Sequence, residues 1–412
     1  MTNPFCDPYA ILFQVYGSGA YLKQAVSSVP IEELHRARTV KIVYGVMEND
    51  LLFDHYIRAY AAKNPKLPVR IILKIALYML LFMDKKRYMV TDNAVTFAKK
   101  LGKGGAGGFI NAFLRAFDKD KAVLPKEEIK NFSVRYSYPE FAVKRLLKEY
   151  GEDAEKIMSA NQQGVFVRFA CGEEKIKEYI KDSAQATPFE KTYCFSSFRR
   201  DEGYDAGEYT FQSVGSVAIC EGVKACENLL DACAAPGGKS VLLSEKCKKV
   251  TSFELHEHRA ALIQSYASRM GAKNIEIVCR DSSVYDEAYA EKFDAVLVDA
   301  PCSGFGVVNE NPDIKFFRKE EDLIEINKTQ KRILETCCKY VKKGGMLYYS
   351  TCSVFSEEND GVVGGFLKDH TDFAAQDAQS PLPFVRKKYG IQFLPHISMG
   401  AGFYFSAMQK KG

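Results

Sequence analysis

Two cysteines stand just beyond two predicted strands in the C-terminal half of this 412-residue chain. Cys302 follows a predicted strand at residues 295–299, and Cys352 follows another at residues 346–350. Because neighbouring parallel strands end at the same edge of a sheet, both thiols are predicted to lie in one crevice. Thiolates are the strongest nucleophiles that the chain has, so this placement indicates covalent chemistry.

A pair of thiols suits methylation of a cytosine at carbon 5. Carbon 5 is a poor nucleophile, but addition of a thiolate to carbon 6 makes it an enamine that can attack an activated methyl group. The carbon-5 proton must then leave and the thiol must be eliminated, a release that a second thiol can assist. Asp299 can hydrogen-bond the N3 and N4 edge of the base as charge develops there. The base must be unstacked to reach the crevice.

The first predicted strand of this half, residues 228–232, runs into a turn of small residues. Residues 233–239 read Cys-Ala-Ala-Pro-Gly-Gly-Lys, and paired glycines let a turn pass close to a ligand. The turn has neither the G-x-G-x-x-G spacing of a dinucleotide fold nor a Walker sequence. Glu254 ends the next strand, where it could hold a ribose diol, and Asp281 follows the third predicted strand, residues 275–279, placed to meet an adenine edge. Acids at successive strand ends favour a nucleoside ligand.

The pattern along the chain predicts three domains. Residues 1–138 show apolar positions at helical spacing with short links, including a short helical segment at 57–61, which predicts an all-helical bundle. Residues 139–215 mix helix and strand signals, including a strand at 165–169, and are predicted to form a small α/β lobe. From residue 216 to 412, strand, tight turn and helix alternate, with a helix predicted at 320–341 and a last strand at 402–408. This alternation predicts a parallel sheet with helices on both faces.

Charge is unevenly divided along the chain. The net charge is +5 overall, but residues 1–140 carry +8 and residues 141–412 carry −3. A basic first third indicates an anionic partner held there, although a solvated helical surface has the same composition. Contact with nucleic acid is predicted at two basic links, residues 85–87 and the glycine-rich loop 99–108, where a merely flexible loop is the alternative.

Composition excludes several classes of protein. A hydrophobic content of 47% with 26% charged residues is typical of a globular chain. The longest apolar run, residues 71–83, contains Lys74 and is shorter than the roughly 20 residues of a membrane span. Without a secretory leader at the N-terminus, we expect a cytoplasmic protein with no membrane partner. The twelve cysteines include no Cys-x-x-Cys pair, and the pair of His256 and His258 lacks companion ligands, so no metal is expected.

In combination, these motifs resemble the S-adenosylmethionine-dependent RNA 5-methylcytosine methyltransferases. Residues 233–239 resemble the methyl-donor loop of the family, residues 299–303 and 351–353 resemble its two cysteine motifs, and Pro-Asp-Ile-Lys at 312–315 falls between them. The resemblance implies that Cys352 is the nucleophile, that Cys302 serves product release, and that Asp299 meets both base and donor. The donor-binding positions that it implies are Cys233, Ala234, Ala235, Pro236, Gly237, Gly238, Lys239, Glu254, Asp281 and Asp299.

The first 138 residues resemble the NusB antitermination fold, through residues 38–44, 73–78, 94–99 and 111–115. The two halves together resemble the bacterial 16S ribosomal RNA cytosine-5 methyltransferases that carry a fused NusB-like domain. This resemblance implies a Rossmann-like catalytic domain at 216–412, S-adenosylmethionine as the methyl donor, 16S ribosomal RNA as the partner, and a monomer.

Two departures from the family pattern accompany the resemblance. Gln212-Ser213 stands where the family often has Gln-Asp, and residues 309–311 read Asn-Glu-Asn where basic residues are common. Two other functions stay open, methylation of transfer RNA and RNA binding by an assembly factor whose methyltransferase half is inert. The presence of Cys302, Cys352, Asp299 and Lys239 argues against an inert site.

Overall fold

A computed structural model describes residues 3–161, 164–181 and 184–412. These residues form two compact units, one made of residues 3–159 and 308–318, the other of residues from 160–307 and 319–412. The predicted fold class is confirmed, with a helical N-terminal part and a large sheet flanked by helices in the C-terminal part. The predicted domain boundaries at 138 and 215 stay a prediction. No helix within the described ranges has both the length and the apolar character needed to cross a membrane.

The first unit consists of helices around α5. Helix α5 is apolar on all sides and is therefore buried, as expected of a central helix. Of its two charged residues, Arg70 is half-buried and Lys74 is 1% exposed, and Lys74 Nζ lies 2.5 Å from Asp50 Oδ1 and 3.0 Å from Asp54 Oδ1. Pairing explains how the predicted apolar run tolerates a lysine. The helices are α1 (Cys6–Ser18), α2 (Leu22–Ser28), α3 (Glu33–Glu48), α4 (Asp50–Tyr60), α5 (Leu67–Leu81), α6 (Arg87–Lys100), α7 (Gly107–Ala116), α8 (Glu128–Tyr136), α9 (Glu140–Tyr150) and α10 (Asp153–Ser159).

Residues 308–318 belong to the first unit although they follow the Cys302 motif in sequence. The Asp313 carboxylate accepts a hydrogen bond of 2.9 Å from the Leu22 amide. Lys315 Nζ donates to the carbonyl oxygens of Glu48 at 3.0 Å and Tyr136 at 2.9 Å. The Pro-Asp-Ile-Lys segment is thus anchored on helices of the first unit.

The second unit begins with a small antiparallel sheet in the order β2-β3-β1-β4. Its strands are β1 (Val165–Phe169), as predicted, β2 (Ala184–Ala186), β3 (Thr192–Phe195) and β4 (Tyr209–Phe211). Phe169 and Tyr209 lie at the centre of its aromatic core. The accompanying helices are α11 (Glu173–Ile180), α12 (Glu202–Asp205) and α13 (Val214–Gly222).

The large sheet has the order β11-β12-β13-β9-β8-β5-β6-β7, with β10 paired to β13. Strands β9, β8, β5, β6 and β7 are parallel, and β13 runs antiparallel to β9. The strands are β5 (Asn228–Asp231), β6 (Lys249–Glu254), β7 (Ile275–Cys279), β8 (Phe293–Asp299), β9 (Val341–Thr351), β10 (Phe373–Gln376), β11 (Val385–Arg386), β12 (Ile391–Gln392) and β13 (Tyr404–Lys410). The later helices of the chain are α14 (Gly238–Ser244), α15 (Glu257–Arg269), α16 (Ile314–Phe317, in the first unit), α17 (Glu320–Cys337) and α18 (Asp360–Asp369).

The strand order reverses between β5 and β8. From β5 the chain proceeds outward to β6 and β7, and then returns to β8 and β9 on the other side. A crevice forms beyond the carboxyl ends of the strands at such a reversal, and ligands of open α/β sheets bind there. The predicted site residues all lie at or beyond these strand ends.

Candidate active site

The two cysteine motifs begin on the same rung of the sheet. Asp299 of β8 pairs with Ser350 of β9, and the Ala300 amide donates to the Ser350 carbonyl at 2.8 Å. Three residues past Asp299 and two past Ser350, the Sγ atoms of Cys302 and Cys352 lie 3.0 Å apart. The structure thus brings together the two thiols that the sequence predicted to share a crevice.

A close backbone approach supports this pair. The Gly306 amide donates to the Cys352 carbonyl at 2.9 Å, which holds the first cysteine turn against the second. A Cβ atom at position 306 would lie only 1.8 Å from the Gly402 carbonyl oxygen. Only glycine therefore allows the two turns and the 402 segment to meet here.

The surroundings of Cys302 keep its proton on sulfur. Its hydrogen bond with Cys352, its burial and the negative charges of Glu358 and Asp299 together raise the pKa of Cys302 well above the ordinary value of a thiol. Burial likewise raises the pKa of Cys233 in the neighbouring turn. Both groups are therefore neutral thiols at neutral pH, and neither is a preformed nucleophile.

Asp299 connects the cysteine strands to the turn at 233–239. Its Oδ2 accepts a hydrogen bond of 2.7 Å from Lys239 Nζ, and its Oδ1 accepts one of 2.7 Å from the Ser350 hydroxyl. Burial acts to lower the pKa of Lys239, but the charge and hydrogen bond of Asp299 outweigh it and raise that pKa. The ammonium is therefore permanently charged, and the pair fixes the position of the Asp299 carboxylate.

The turn at 233–239 is held against β6. The Ala234 amide donates to the Phe253 carbonyl at 3.0 Å, and the Ala235 amide donates to Glu254 Oε2 at 3.3 Å. Gly237 adopts φ +103°, which L side chains rarely adopt, and a Cβ there would approach Ile263 to 3.2 Å. The backbone conformation at the first of the two paired glycines of the predicted donor loop therefore favours glycine.

The acids at the ends of β6 and β7 fit a nucleoside. Glu254 is 4% exposed, and its Oε1 also accepts hydrogen bonds from the His256 amide at 3.3 Å and Arg259 Nη1 at 3.2 Å. Asp281 accepts from the Ser283 amide through Oδ1 at 2.8 Å, and no residue in the described part of the chain hydrogen-bonds to its Oδ2. Oriented carboxylates at two adjacent strand ends are acceptors suited to ribose hydroxyls and an amino edge.

Asp231 is a further acid at this edge, and it is buried like Glu254. It ends β5, is 1% exposed, and its Oδ2 accepts a hydrogen bond of 2.6 Å from the Ser240 hydroxyl. Burial raises the pKa of Asp231 to about 6, although the Ser240 hydrogen bond opposes this shift. The folded state thus holds this proton more tightly than the unfolded state does.

The raised pKa of Asp231 predicts a pH-dependent loss of stability. Between pH 4 and pH 6 the unfolded chain ionises first, so the free energy of unfolding falls as pH rises and stays lowered above pH 6. The neutral variant Asp231→Asn lacks this decline, so its stability relative to wild type should improve by about 3 kcal/mol from pH 4 to pH 7. Urea unfolding at several pH values measures it, with the exposed Glu325→Gln as control. A difference that does not change with pH would contradict the assignment.

Three residues of this site were not singled out from the sequence. Ser350 and Arg259 hydrogen-bond two of the predicted acids, and Glu358 hydrogen-bonds the residue that follows each cysteine. A sequence signal exists for the last contact, because residues 302–305 and 352–355 share the pattern Cys-Ser-x-Phe. Ser350 and Arg259 carry no such signal.

The sheet order, the acids beyond its strand ends and the helical first unit define a methyltransferase with an added helical domain. The family model described as 16S rRNA methyltransferase RsmB/F matches residues 222–409, and the NusB family model matches residues 9–119. The chain belongs to this RsmB/F methyltransferase family and carries an N-terminal NusB domain. The resemblance proposed from the motifs is confirmed.

Relatives match over nearly the whole chain. The probable ribosomal RNA small subunit methyltransferase B of Bacillus subtilis (strain 168) is 31% identical over 431 residues, covering 96% of this chain and 95% of that protein. The ribosomal RNA small subunit methyltransferase B of Sodalis glossinidius (strain morsitans) is 29% identical over 408 residues, covering 93% and 91%. The solved structure of PH0851 has a TM-score of 0.82 at 24% identity, covering 100% of this chain and 99% of that one. This last likeness shows the fold.

Proposed function

We propose that this protein transfers a methyl group from S-adenosylmethionine to carbon 5 of a cytosine in 16S ribosomal RNA. The 3.0 Å approach of Cys302 and Cys352, beside the Lys239–Asp299 pair, is the observation that carries the proposal. The names of the relatives support a ribosomal RNA substrate. Two adjacent thiols support cytosine-5 chemistry, because that reaction needs one sulfur to add and benefits from a second to assist release.

The proposed roles follow from the position and charge of each group. After its thiol proton has left to solvent, Cys352 adds as a thiolate to carbon 6 of the unstacked cytosine. The electrons of the double bond between carbons 5 and 6 are thereby made available at carbon 5. Asp299, held by Lys239 and Ser350, accepts a hydrogen bond from the amino edge of the base and fixes its orientation. S-adenosylmethionine supplies an electrophilic methyl group when it is bound.

Release restores the aromatic ring. A base takes the carbon-5 proton, the electrons of that C–H bond reform the double bond between carbons 5 and 6, and Cys352 leaves as a thiolate. We assign the base to Cys302, whose neutral thiol must first lose its own proton to solvent. A thiol whose pKa is raised is a stronger base once ionised, which suits removal of a proton from carbon. Each cysteine thus has one role.

The residues at the carboxyl ends of β5, β6 and β7 are proposed to hold the donor. Glu254 and Asp281 would accept hydrogen bonds from its nucleoside part, and the turn at 233–239 would line its remaining surface. These roles follow from burial of Glu254 and from the available Oδ2 of Asp281.

Bisulfite mapping of ribosomal RNA tests the function. Ribosomal RNA from cells with and without the gene should differ at one cytosine of the small subunit, which resists conversion only when the gene is present. The purified protein should restore that resistance when S-adenosylmethionine is added. A change in transfer RNA instead would favour the alternative substrate, and unchanged RNA would contradict the proposal.

A basic cleft in the first unit is proposed to hold the RNA. It lies between α6, the glycine-rich loop and α7, has a volume of about 680 Å³, and contains Lys99 and Arg115, both exposed. Its described lining includes three cationic side chains, against Asp92 as an acid. Cationic side chains around exposed glycine backbone suit the phosphates of an RNA strand.

Charge reversal in this cleft should weaken RNA binding in a salt-dependent way. The double variant Lys99→Glu/Arg115→Glu loses two phosphate contacts, so the slope of log K against log salt should decrease in magnitude by about 1.5. Titration of labelled RNA at several salt concentrations measures it. The double variant Lys121→Glu/Lys130→Glu is the matched control, because those exposed lysines in the same unit pair with Asp118 and Glu127. Equal slopes in both double variants would contradict the cleft assignment.

A further inference from the structure

The two cysteine turns are matched copies that meet residue by residue. Residues 302–305 read Cys-Ser-Gly-Phe and residues 352–355 read Cys-Ser-Val-Phe. In space the two sulfurs are 3.0 Å apart, the hydroxyls of Ser303 and Ser353 are 3.3 Å apart, and the rings of Phe305 and Phe355 have centroids 5.0 Å apart. The cysteine, the serine and the phenylalanine of one turn therefore each lie close to their counterpart in the other.

Both turns have the same internal hydrogen bond. The Ser303 hydroxyl oxygen accepts from the Phe305 amide at 3.5 Å, and the Ser353 hydroxyl oxygen accepts from the Phe355 amide at 3.1 Å. A serine that hydrogen-bonds two residues onward fixes the local backbone turn. Each serine hydroxyl thus uses its oxygen as an acceptor within its own turn, and its O–H group can donate to a partner outside the turn.

One buried carboxylate accepts a hydrogen bond from each of the two serine hydroxyls. Glu358 is 0% exposed, and its Oε2 accepts hydrogen bonds from Ser303 Oγ at 2.6 Å and Ser353 Oγ at 2.5 Å. Its Oε1 accepts from the Ser303 amide at 2.7 Å and from Gln330 Nε2 at 3.1 Å. Gln330 also donates to the Pro301 carbonyl at 3.0 Å, so it holds the residue before Cys302 as well.

The main chain at Glu358 is held by β9, the strand that precedes Cys352. The Tyr349 hydroxyl donates to the Glu358 carbonyl at 2.7 Å. The next residue, Asn359, accepts from the Thr351 hydroxyl at 2.5 Å and donates to the Ser353 carbonyl at 2.9 Å. Glu358 thus has a fixed place between the two turns, and no water is needed to satisfy its oxygens.

We propose that Glu358 is the positioning residue that sets the separation of Cys302 and Cys352, acting through the serine that follows each cysteine. The assignment rests on the proposed function only in giving these thiols a catalytic role. Burial of a carboxylate destabilises the folded state unless its oxygens accept hydrogen bonds. Here four groups donate to it: the hydroxyls of Ser303 and Ser353, the Ser303 amide, and the Gln330 side chain of α17. Loss of the carboxylate would leave two buried hydroxyls and one amide without their acceptor and would free each turn.

Binding of phenylarsine oxide reports whether the two thiols lie close together, and this experiment does not require methyl transfer. Its arsenic forms two As–S bonds with a nearby pair of thiols, and the two thiol protons leave with its oxygen as water. The Cys226→Ser background removes a second close pair, because Cys226 and Cys247 have their Sγ atoms 3.7 Å apart. In that background, Cys302 and Cys352 should bind one arsenical together, as located by mass spectrometry. Glu358→Gln and Glu358→Ala should weaken this binding about tenfold, because the two thiols are no longer fixed at the separation that the arsenic requires and lose conformational entropy on binding.

Matched variants separate positioning from folding. The exposed neighbour Glu357→Ala should bind the arsenical as the parent does. Ser303→Ala/Ser353→Ala should reproduce the effect of Glu358→Gln, and adding Glu358→Gln to that pair should have little further effect. Should Glu358→Ala fail to fold, the serine variants and Glu358→Gln carry the test. Unweakened arsenical binding in a folded Glu358→Gln variant would overturn the proposal.

Kinetics supply the second readout. With RNA and S-adenosylmethionine, Glu358→Gln should lower kcat by about 100-fold through misplacement of the thiols, with KM for the donor unchanged. A raised donor KM with unchanged kcat would contradict a positioning role. If wild-type protein binds the arsenical as expected but methylates no RNA, the proposed function fails while the positioning role of Glu358 stands.

Discussion

Replacement of Cys352 by alanine is expected to abolish methyl transfer to RNA. Without the sulfur that adds to carbon 6, carbon 5 stays a poor nucleophile, and activity should fall by about 10⁴-fold or more. Donor affinity should stay within about twofold of wild type, because the proposed donor-binding residues Glu254 and Asp281 are unchanged and Cys352 is proposed to contact the base. Transfer of labelled methyl groups measures activity, and titration calorimetry with S-adenosylmethionine measures donor binding.

A control and a contrary result define the Cys352 experiment. Cys171→Ala removes a half-buried thiol of the small antiparallel lobe and should leave methyl transfer unchanged. Full activity of Cys352→Ala would remove the nucleophile assignment. Loss of donor binding together with activity would mean that the variant has damaged the crevice rather than the chemistry.

Replacement of Cys302 by alanine is expected to trap the protein on its RNA. If Cys302 takes the carbon-5 proton, its loss leaves the bond between Cys352 and carbon 6 intact after methyl transfer. Turnover should fall by about 10³-fold, and a protein–RNA complex should survive denaturing electrophoresis. The complex should require both RNA and S-adenosylmethionine, because elimination is blocked only after the methyl group has been transferred.

The double variant Cys302→Ala/Cys352→Ala is the matched control for the trapped complex. It should form no covalent complex, because the sulfur that binds carbon 6 is missing. Unimpaired turnover of Cys302→Ala without a complex would end the release role. A complex that forms in Cys352→Ala and not in Cys302→Ala would show that the two roles are exchanged.

Strand positions were predictable to within a few residues in the C-terminal half. The strand at 165–169 and the strand at 275–279 have the predicted bounds. The strands before the cysteines end within one residue of their predicted ends, although β9 begins five residues earlier than predicted. Short apolar runs that end in glycine, proline or a polar residue are local signals, which explains this success.

Helix ends were less predictable. The helix predicted at 320–341 ends at Cys337, and Val341 is already in β9, where it pairs with Phe293. The helix predicted at 57–61 is part of α4, which begins at Asp50. In both cases the boundary depends on packing against distant segments, which periodicity within one window does not contain.

The antiparallel direction of β13 was also outside the reach of local reasoning. Residues 402–408 were predicted as a strand, and β13 spans Tyr404–Lys410 beside β9. The residue types of a strand indicate which of its faces are buried, but they do not indicate whether the neighbouring strand runs parallel or antiparallel to it. The mixed character of the sheet is therefore a property of the folded chain alone.

The amino-acid sequence by itself determined which chemical groups stand at the strand ends: two thiols, three acids and a lysine after paired glycines. These are local consequences of residue type and alternation. Only the tertiary structure decided the pairing of Lys239 with Asp299, the joining of residues 308–318 to the helical unit, and the meeting of two serines on Glu358. The first two link segments 60 or more residues apart, and the serine turns lie 50 residues apart, so only the folded chain could reveal these contacts.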